Sequence, residues 1–186
     1  ICVVGGCGHV GLPLAMAFAR AGIDVCAFDI NEAVVDDVTA GRMPFNEPQG
    51  TEILSEVLST GKFRASTDAS EVGRAEVVIV VIGTPVDEHL NPDTEAVPDA
   101  VAALISHFRD EQTLILRSTV FPGVTRLVEK VLISAGKKTA VAFCPERIAE
   151  GNAFTELYSL PQIVSGCSAE AAQTARDVFS LLTDSI

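Results

Sequence analysis

Short apolar runs alternate with longer stretches of helical period along the whole chain. Residues 1–4, 25–28, 77–82, 114–116, 140–143 and 163–164 have almost no polar break, the pattern of strands buried on both faces of a parallel sheet. Between them, residues 10–21, 32–40, 51–58, 96–108, 124–135 and 169–182 read as helices. Gly22, Gly41, Gly61 and Gly136 follow helix ends, where a chain often turns left-handed. Strand alternating with helix implies parallel pairing and right-handed crossovers. The expected architecture is α/β: a doubly wound, mainly parallel sheet with helices on both faces. Two loops break the rhythm, the proline-punctuated stretch from Arg42 to Pro48 and the long connection from Gly83-Thr84-Pro85 to Asp93. Both are expected near strand C-termini, the edge at which open α/β sheets bind ligands.

Size and composition narrow the function classes. The 186 residues suit one domain, and 48% hydrophobic against 20% charged residues argues for a packed core. No apolar run approaches the roughly 20 residues of a membrane span, and nothing resembles a cleavable leader, so no membrane partner is expected. The chain opens inside an apolar run without Met and stops at Ile186 with no cap or tail, so it reads as cut from something longer. A net charge of −12 with unclustered Lys and Arg provides no basic face for nucleic acid. An anionic ligand would have to be held by local donors such as backbone N–H groups. Cys2, Cys7, Cys26, Cys144 and Cys167 are odd in number and lack metal-site spacing, so free thiols, no metal and a reducing cytoplasm are expected.

The first strand runs into a stretch with four glycines in seven residues, within VVGGCGHVGLPLA. Gly6-Cys7-Gly8-His9-Val10-Gly11 is G-x-G-x-x-G, and it follows a strand and opens a helix, the setting that makes the pattern a dinucleotide fingerprint. Gly6 would permit the tight turn, Gly8 would remove a Cβ from the path of a pyrophosphate, and Gly11 would let the helix pack closely. The helix start would offer unpaired N–H groups and about half a positive charge. His9 reads as a spacer at the cofactor's edge, and Cys7 as a small loop residue. Asp29 ends the second strand 18 positions after Gly11, where a carboxylate accepts bonds from ribose hydroxyls and repels a 2′-phosphate. No Lys or Arg follows before Arg42, which favours NAD over NADP. The alternative for Asp29 is a cap on the helix near Glu32.

Further motifs occur in one order: VGLPLA (10–15), FDIN (28–31), EP (47–48), GTP (83–85), RSTVFPGVT (117–125), CPERIAEGNAFTEL (144–157) and PQIVSG (161–166). Together they resemble the NAD-binding half of the UDP-glucose/GDP-mannose dehydrogenase family over essentially the whole chain. PER at 145–147 is more similar to the branch acting on UDP-N-acetylmannosamine than to the UDP-glucose branch. The resemblance implies a Rossmann-type domain over 1–186, with a central helix and a UDP-sugar-binding domain outside the chain. It also implies two NAD-dependent oxidations of a sugar C6 alcohol to a carboxylate, serving polysaccharide biosynthesis. The family's nucleophilic cysteine, lysine and helper asparagine lie beyond the matched region, so this chain alone would bind cofactor without turnover. The full enzyme would be a homodimer or larger.

Carried over residue by residue, Thr119 would orient the water, Glu146 would be the general base or water orienter, and Glu150 would contact the substrate loop. Gly83, Thr84, Pro85 and Ser118 would line the cofactor, with Thr119 and Glu146 beside it. Taken without the resemblance, Thr119 reads equally as a cap for the helix at Val124, Glu146 and Glu150 as solvated loop acids, and Cys144 as a buried inert thiol. Val34 stands where relatives often have a lysine, and Gln49-Gly50 where many have Gly-Leu. Two other readings are a β-hydroxyacid or 6-phosphogluconate type dehydrogenase and a non-catalytic NAD-sensing module. The first predicts a lysine-bearing helix soon after the sheet; the second leaves Thr119, Glu146 and Glu150 without a task.

Overall fold

The computed structural model describes residues 1–84, 88, 93–149 and 151–186. Its strands are β1 (Cys2–Val4), β2 (Val25–Phe28), β3 (Phe63–Ser66), β4 (Val77–Val80), β5 (Thr113–Leu116), β6 (Ala140–Phe143) and β7 (Ser165–Gly166). Its helices are α1 (Gly11–Arg20), α2 (Glu32–Thr39), α3 (Gly50–Thr60), α4 (Glu71–Arg74), α5 (Ala96–Ala103), α6 (Val124–Ser134), α7 (Ala153–Ser159) and α8 (Ala169–Phe179). The strands form one sheet in the order β3-β2-β1-β4-β5-β6-β7, all parallel except β7.

Alternation along the strands divides the core in two. Val3, Ala27, Ile79 and Ile115 face a cluster that includes α1 and α8, whereas Val4, Phe28, Val80 and Leu116 face one that includes α5 and α6. Every residue of α1 from Gly11 to Ala19 is buried, because this helix lies between the sheet and helices α3 and α7. It therefore reads as apolar all round. Gly22, Gly41, Gly61 and Gly136 all take a left-handed backbone, as their places after helices predict.

The elements depart from expectation in several places. β3 reads Phe-Arg-Ala-Ser and is buried only at Phe63, so an edge position hides it from an apolar-run search. The last strand falls at Ser165–Gly166 rather than 163–164 and runs antiparallel to β6. α5 ends at Ala103, and residues 104–107 continue as tight turns with i−3 bonds such as Leu104 N to Val101 O. The short helices α4 and α7 lie in stretches without enough helical period to announce them.

The element order places the site. β1 lies between β2 and β4, so successive connections leave it in opposite directions and open a crevice beyond the C-terminal ends of β1 and β4. The glycine stretch begins there.

Candidate nucleotide-binding and active site

The glycines of the first turn differ in what surrounds them. Gly5 has φ +75°, and a Cβ on it would lie 2.1 Å from Val81 O of the neighbouring segment. The left-handed turn therefore falls on Gly5, not on Gly6 as the motif suggests. Gly6 serves close packing instead, since its Cβ would lie 2.6 Å from Ala27 Cα on β2. Gly11 lets α1 start against the turn, where a Cβ would come 2.2 Å from Gly5 O. Gly8 is different. It is exposed, and its Cβ would meet nothing nearer than Gly5 O at 3.6 Å. No described residue requires glycine there, which leaves space for a group from outside.

The helix start beside Gly8 is bare. Val10 occupies the N-cap position of α1 without a side-chain cap bond. Among the described residues the backbone N–H groups of His9, Val10 and Gly11 have no acceptor. Orphan donors at a helix start form an anion site.

Asp29 closes the turn from the β2 side. Its Oδ2 accepts from Cys7 N at 3.2 Å and its Oδ1 from Asn31 N at 3.1 Å. It does not cap α2; Asn31 does, accepting from Val34 N. Each carboxylate oxygen keeps a second lone-pair site, so the pinned carboxylate can still take hydroxyl donors. The Cys7 thiol is pushed up to about 12, by burial first and by the Asp29 charge second, consistent with a small inert loop residue.

Two clefts flank this arrangement. One of about 510 Å³ runs from Gly5, Gly8, Asp29 and Ile30 to Ile82, Gly83, Ala100 and Leu104. Its walls are mainly apolar, and Ile30 stands 89% exposed at its rim, as suits a flat heteroaromatic ring. The second, about 280 Å³, is lined by Thr84, Asp93, Val97, Thr119, Val120 and Phe121. They adjoin where Gly83 passes into Thr84.

Beyond β5 and β6 the ladder continues, with Cys144 N bonded to Leu116 O at 2.9 Å and Glu146 N to Arg117 O at 3.0 Å. Arg117 is fully buried. Its Nε donates to Glu146 Oε2 at 2.8 Å, its Nη1 to Cys144 O at 3.0 Å, and its guanidinium lies 4.6 Å from the Phe179 ring centroid. Nη2 is 2.6 Å from the same Glu146 oxygen but outside hydrogen-bond geometry. Burial lowers the Arg117 pKa, and the Glu146 charge opposes that shift. Glu146 Oε1 accepts from Arg147 N at 2.6 Å and Ile148 N at 2.9 Å. Glu146 was expected as the general base or water orienter; in the structure both its oxygens also take part in holding this loop. Ser118 is likewise a stitch, its hydroxyl donating to Ile82 O at 2.8 Å and accepting from Ile82 N at 2.9 Å. That removes it as a free donor to a cofactor.

Thr119 is exposed and lines the second cleft with Thr84, and the cap position of α6 belongs to Gly123. His9 stacks on Phe45 of the 42–48 loop, with centroids 4.2 Å apart. Cys144 is buried and its thiol is pushed up to about 11 by desolvation, the reading of an inert thiol. Arg147 donates to Pro161 O at 2.6 Å. Pro85 and Glu150, both expected site residues, lie outside the described residues. Sequence reasoning missed the roles of Gly5, Arg117 and Glu47, although the GG doublet, RSTVFPGVT and the EP motif marked their positions.

The fold and its site match known proteins over nearly the full chain. Residues 1–183 match the family described as UDP-glucose/GDP-mannose dehydrogenase family, NAD binding domain. The UDP-N-acetyl-D-mannosamine dehydrogenase of Methanococcus maripaludis is 30% identical over 183 residues, which cover 96% of this chain and 41% of the relative. The structure of the UDP-D-ManNAc dehydrogenase from Pyrococcus horikoshii superposes with TM-score 0.92 at 28% identity, covering 99% of this chain and 45% of that one. A UDP-glucose dehydrogenase from Pyrobaculum islandicum gives 0.89 at 29% identity, covering 97% and 44%. The chain thus spans less than half the length of these relatives. A match that runs from the first residue almost to the last leaves one conclusion: the chain belongs to the UDP-glucose/GDP-mannose dehydrogenase family, of which it is the NAD-binding domain.

Proposed function

We propose that the chain is the cofactor half of a nucleotide-sugar 6-dehydrogenase in the cytoplasm. The whole enzyme would oxidise the C6 alcohol of UDP-N-acetylmannosamine to the carboxylate in two NAD-dependent steps. The sugar assignment is supported by PER at 145–147 and by the similarity to UDP-N-acetyl-D-mannosamine dehydrogenases. A further domain would supply the nucleophile and most contacts to the UDP-sugar, and the assembled enzyme would be a homo-oligomer.

The observation that carries the reading is the uncapped start of α1, with exposed Gly8 beside bare N–H groups and a pinned Asp29 across the turn. When bound, NAD supplies the hydride acceptor. Backbone N–H groups of His9, Val10 and Gly11 would hold its diphosphate, with Gly6 and Gly8 giving the approach. Asp29 would take the ribose hydroxyls and exclude a 2′-phosphate. Gly83, Thr84 and Pro85 would follow the cofactor toward the second cleft, where Thr119 would orient a water. Glu146 would fix the loop after β6, and Glu150 would contact the substrate loop.

Calorimetry on this chain tests the reading. NAD should bind at least tenfold more tightly than NADP, and Asp29→Asn should weaken NAD about tenfold to a hundredfold, the loss of a hydrogen bond to a charged group. Equal affinity for NAD and NADP, or no effect of Asp29→Asn, would overturn it.

A further inference from the structure

Segment 42–49 touches both parts of the site, and the family fingerprint assigns it nothing. On one side the Phe45 ring stacks on His9 of the glycine turn, with 22° between the planes. On the other, Glu47 is buried and its oxygens accept from Gly151 N at 3.1 Å and Ala153 N at 2.9 Å, more than a hundred residues away. These donors sit at the start of α7, whose own N-cap, Asn152, makes no side-chain cap bond. Glu47 therefore supplies, from another loop, the acceptor that a helix start usually takes from its cap.

The segment is itself held tightly. Gln49 has φ +64°, a left-handed backbone at a residue with a side chain, and a Cβ on Gly50 would come 2.8 Å from Met43 Cε. Strain of this kind persists where the surroundings over-determine the backbone. The loop after β6 is then clamped twice: by Arg117 at Cys144 and Glu146, and by Glu47 at Gly151 and Ala153.

We propose that Glu47 is a positioning residue for the 144–152 loop, and that segment 42–49 is a strap registering that loop against the glycine turn through Phe45 and His9. The proposal rests on the reading above, in which the turn holds the diphosphate and the loop faces the reacting end. Removing Glu47 then loosens the second clamp and leaves the sheet intact, while removing the Phe45 ring separates the two halves of the site and leaves each in place.

Hydrogen exchange on the 186-residue chain, with and without NAD, tests both parts. In Glu47→Gln the Gly151 and Ala153 amides should exchange about tenfold faster without nucleotide, while Leu116 and Val141 in the sheet stay unchanged. In the wild type, NAD should slow exchange at residues 8–12 and also at 151–153; Phe45→Leu should keep the first effect and lose the second. Calorimetry adds a readout that simple structural support would not move: Glu47→Gln should weaken NAD about fivefold and leave ADP-ribose unchanged. Unchanged Gly151 and Ala153 amides, faster exchange throughout the sheet, remote slowing that survives Phe45→Leu, or equal losses for NAD and ADP-ribose would each overturn the proposal. Absence of any slowing at 8–12 in the wild type would sink the nucleotide reading instead, and the nucleotide-free comparison would still decide the role of Glu47.

Discussion

The sheet carries a cleft of about 510 Å³ at each of its two ends, and the two differ in what their polar groups are doing. At the N-terminal end of the strands the charges have found each other. Glu71, buried at its carboxylate, bridges Arg64 and Arg74; Lys62 pairs with Asp24; and the Ile1 amino group donates to Asp24 O. At the C-terminal end, Gly8 stands exposed beside donors that no described residue accepts, between apolar walls. Equal volume therefore says little about function. Aligned, unmet backbone donors next to a missing Cβ say much more, because such donors are stable only where water or a ligand meets them.

The sharpest way to break the comparison lies where the ligand end is closed on itself by a charged pair, Arg117 and Glu146. Arg117→Met would leave the mostly covered Glu146 carboxylate without its cation, and we expect a loss of about 3 kcal/mol or more in chemical denaturation. A loss below about 1 kcal/mol would show that the pair is not what holds the loop. Next in size is Gly5→Ala, which sets a Cβ against Val81 O on a left-handed backbone and should lower stability by about 3 kcal/mol in the same assay.

At the opposite end the effect should be smaller and depend on pH. Hydrogen bonding from Arg64 holds the Glu71 carboxyl below its ordinary value, against the opposing effect of burial. A carboxyl depressed in the folded state stabilises it above the unfolded pKa, and that contribution is lost as pH falls through the folded value. Both arginines are more than half exposed, so solvent screens them. Glu71→Gln should cost about 1 kcal/mol at pH 7 and nothing once Glu71 itself is protonated, with NAD affinity unchanged. Smallest in stability and most telling in function is Gly8→Ala. Its melting temperature should stay within about 2 °C of wild type, while NAD affinity falls at least tenfold as a methyl meets the diphosphate.

What could be read from the sequence follows the same division. β1, β2, β4 and β5 are buried on both faces and announce themselves as apolar runs; β3 and β7, at the sheet edges, do not. Gly11 and Asp29 stand where the motif places them, because their tasks are local to one turn. The tight turn moved to Gly5 because its constraint comes from Val81, just past β4, which reaches the turn only through folding. Ser118 and Glu146 carried motif roles, yet the Ser118 hydroxyl bonds Ile82, and Glu146 accepts from Arg117 and from the Arg147 and Ile148 N–H groups. No spacing rule shows that competition. Glu47 is the extreme case: the EP motif marks its position, but a contact across more than a hundred residues leaves no local pattern for its role.

The most direct test of the account is a titration of this chain with NAD, followed by backbone amide shifts. The largest changes should fall on Gly8, His9, Val10 and Gly11, with Asp29 next, while Arg64, Glu71 and Arg74 stay still. Changes centred on the Arg64–Glu71–Arg74 cleft, or none at the glycine turn at saturating NAD, would contradict it.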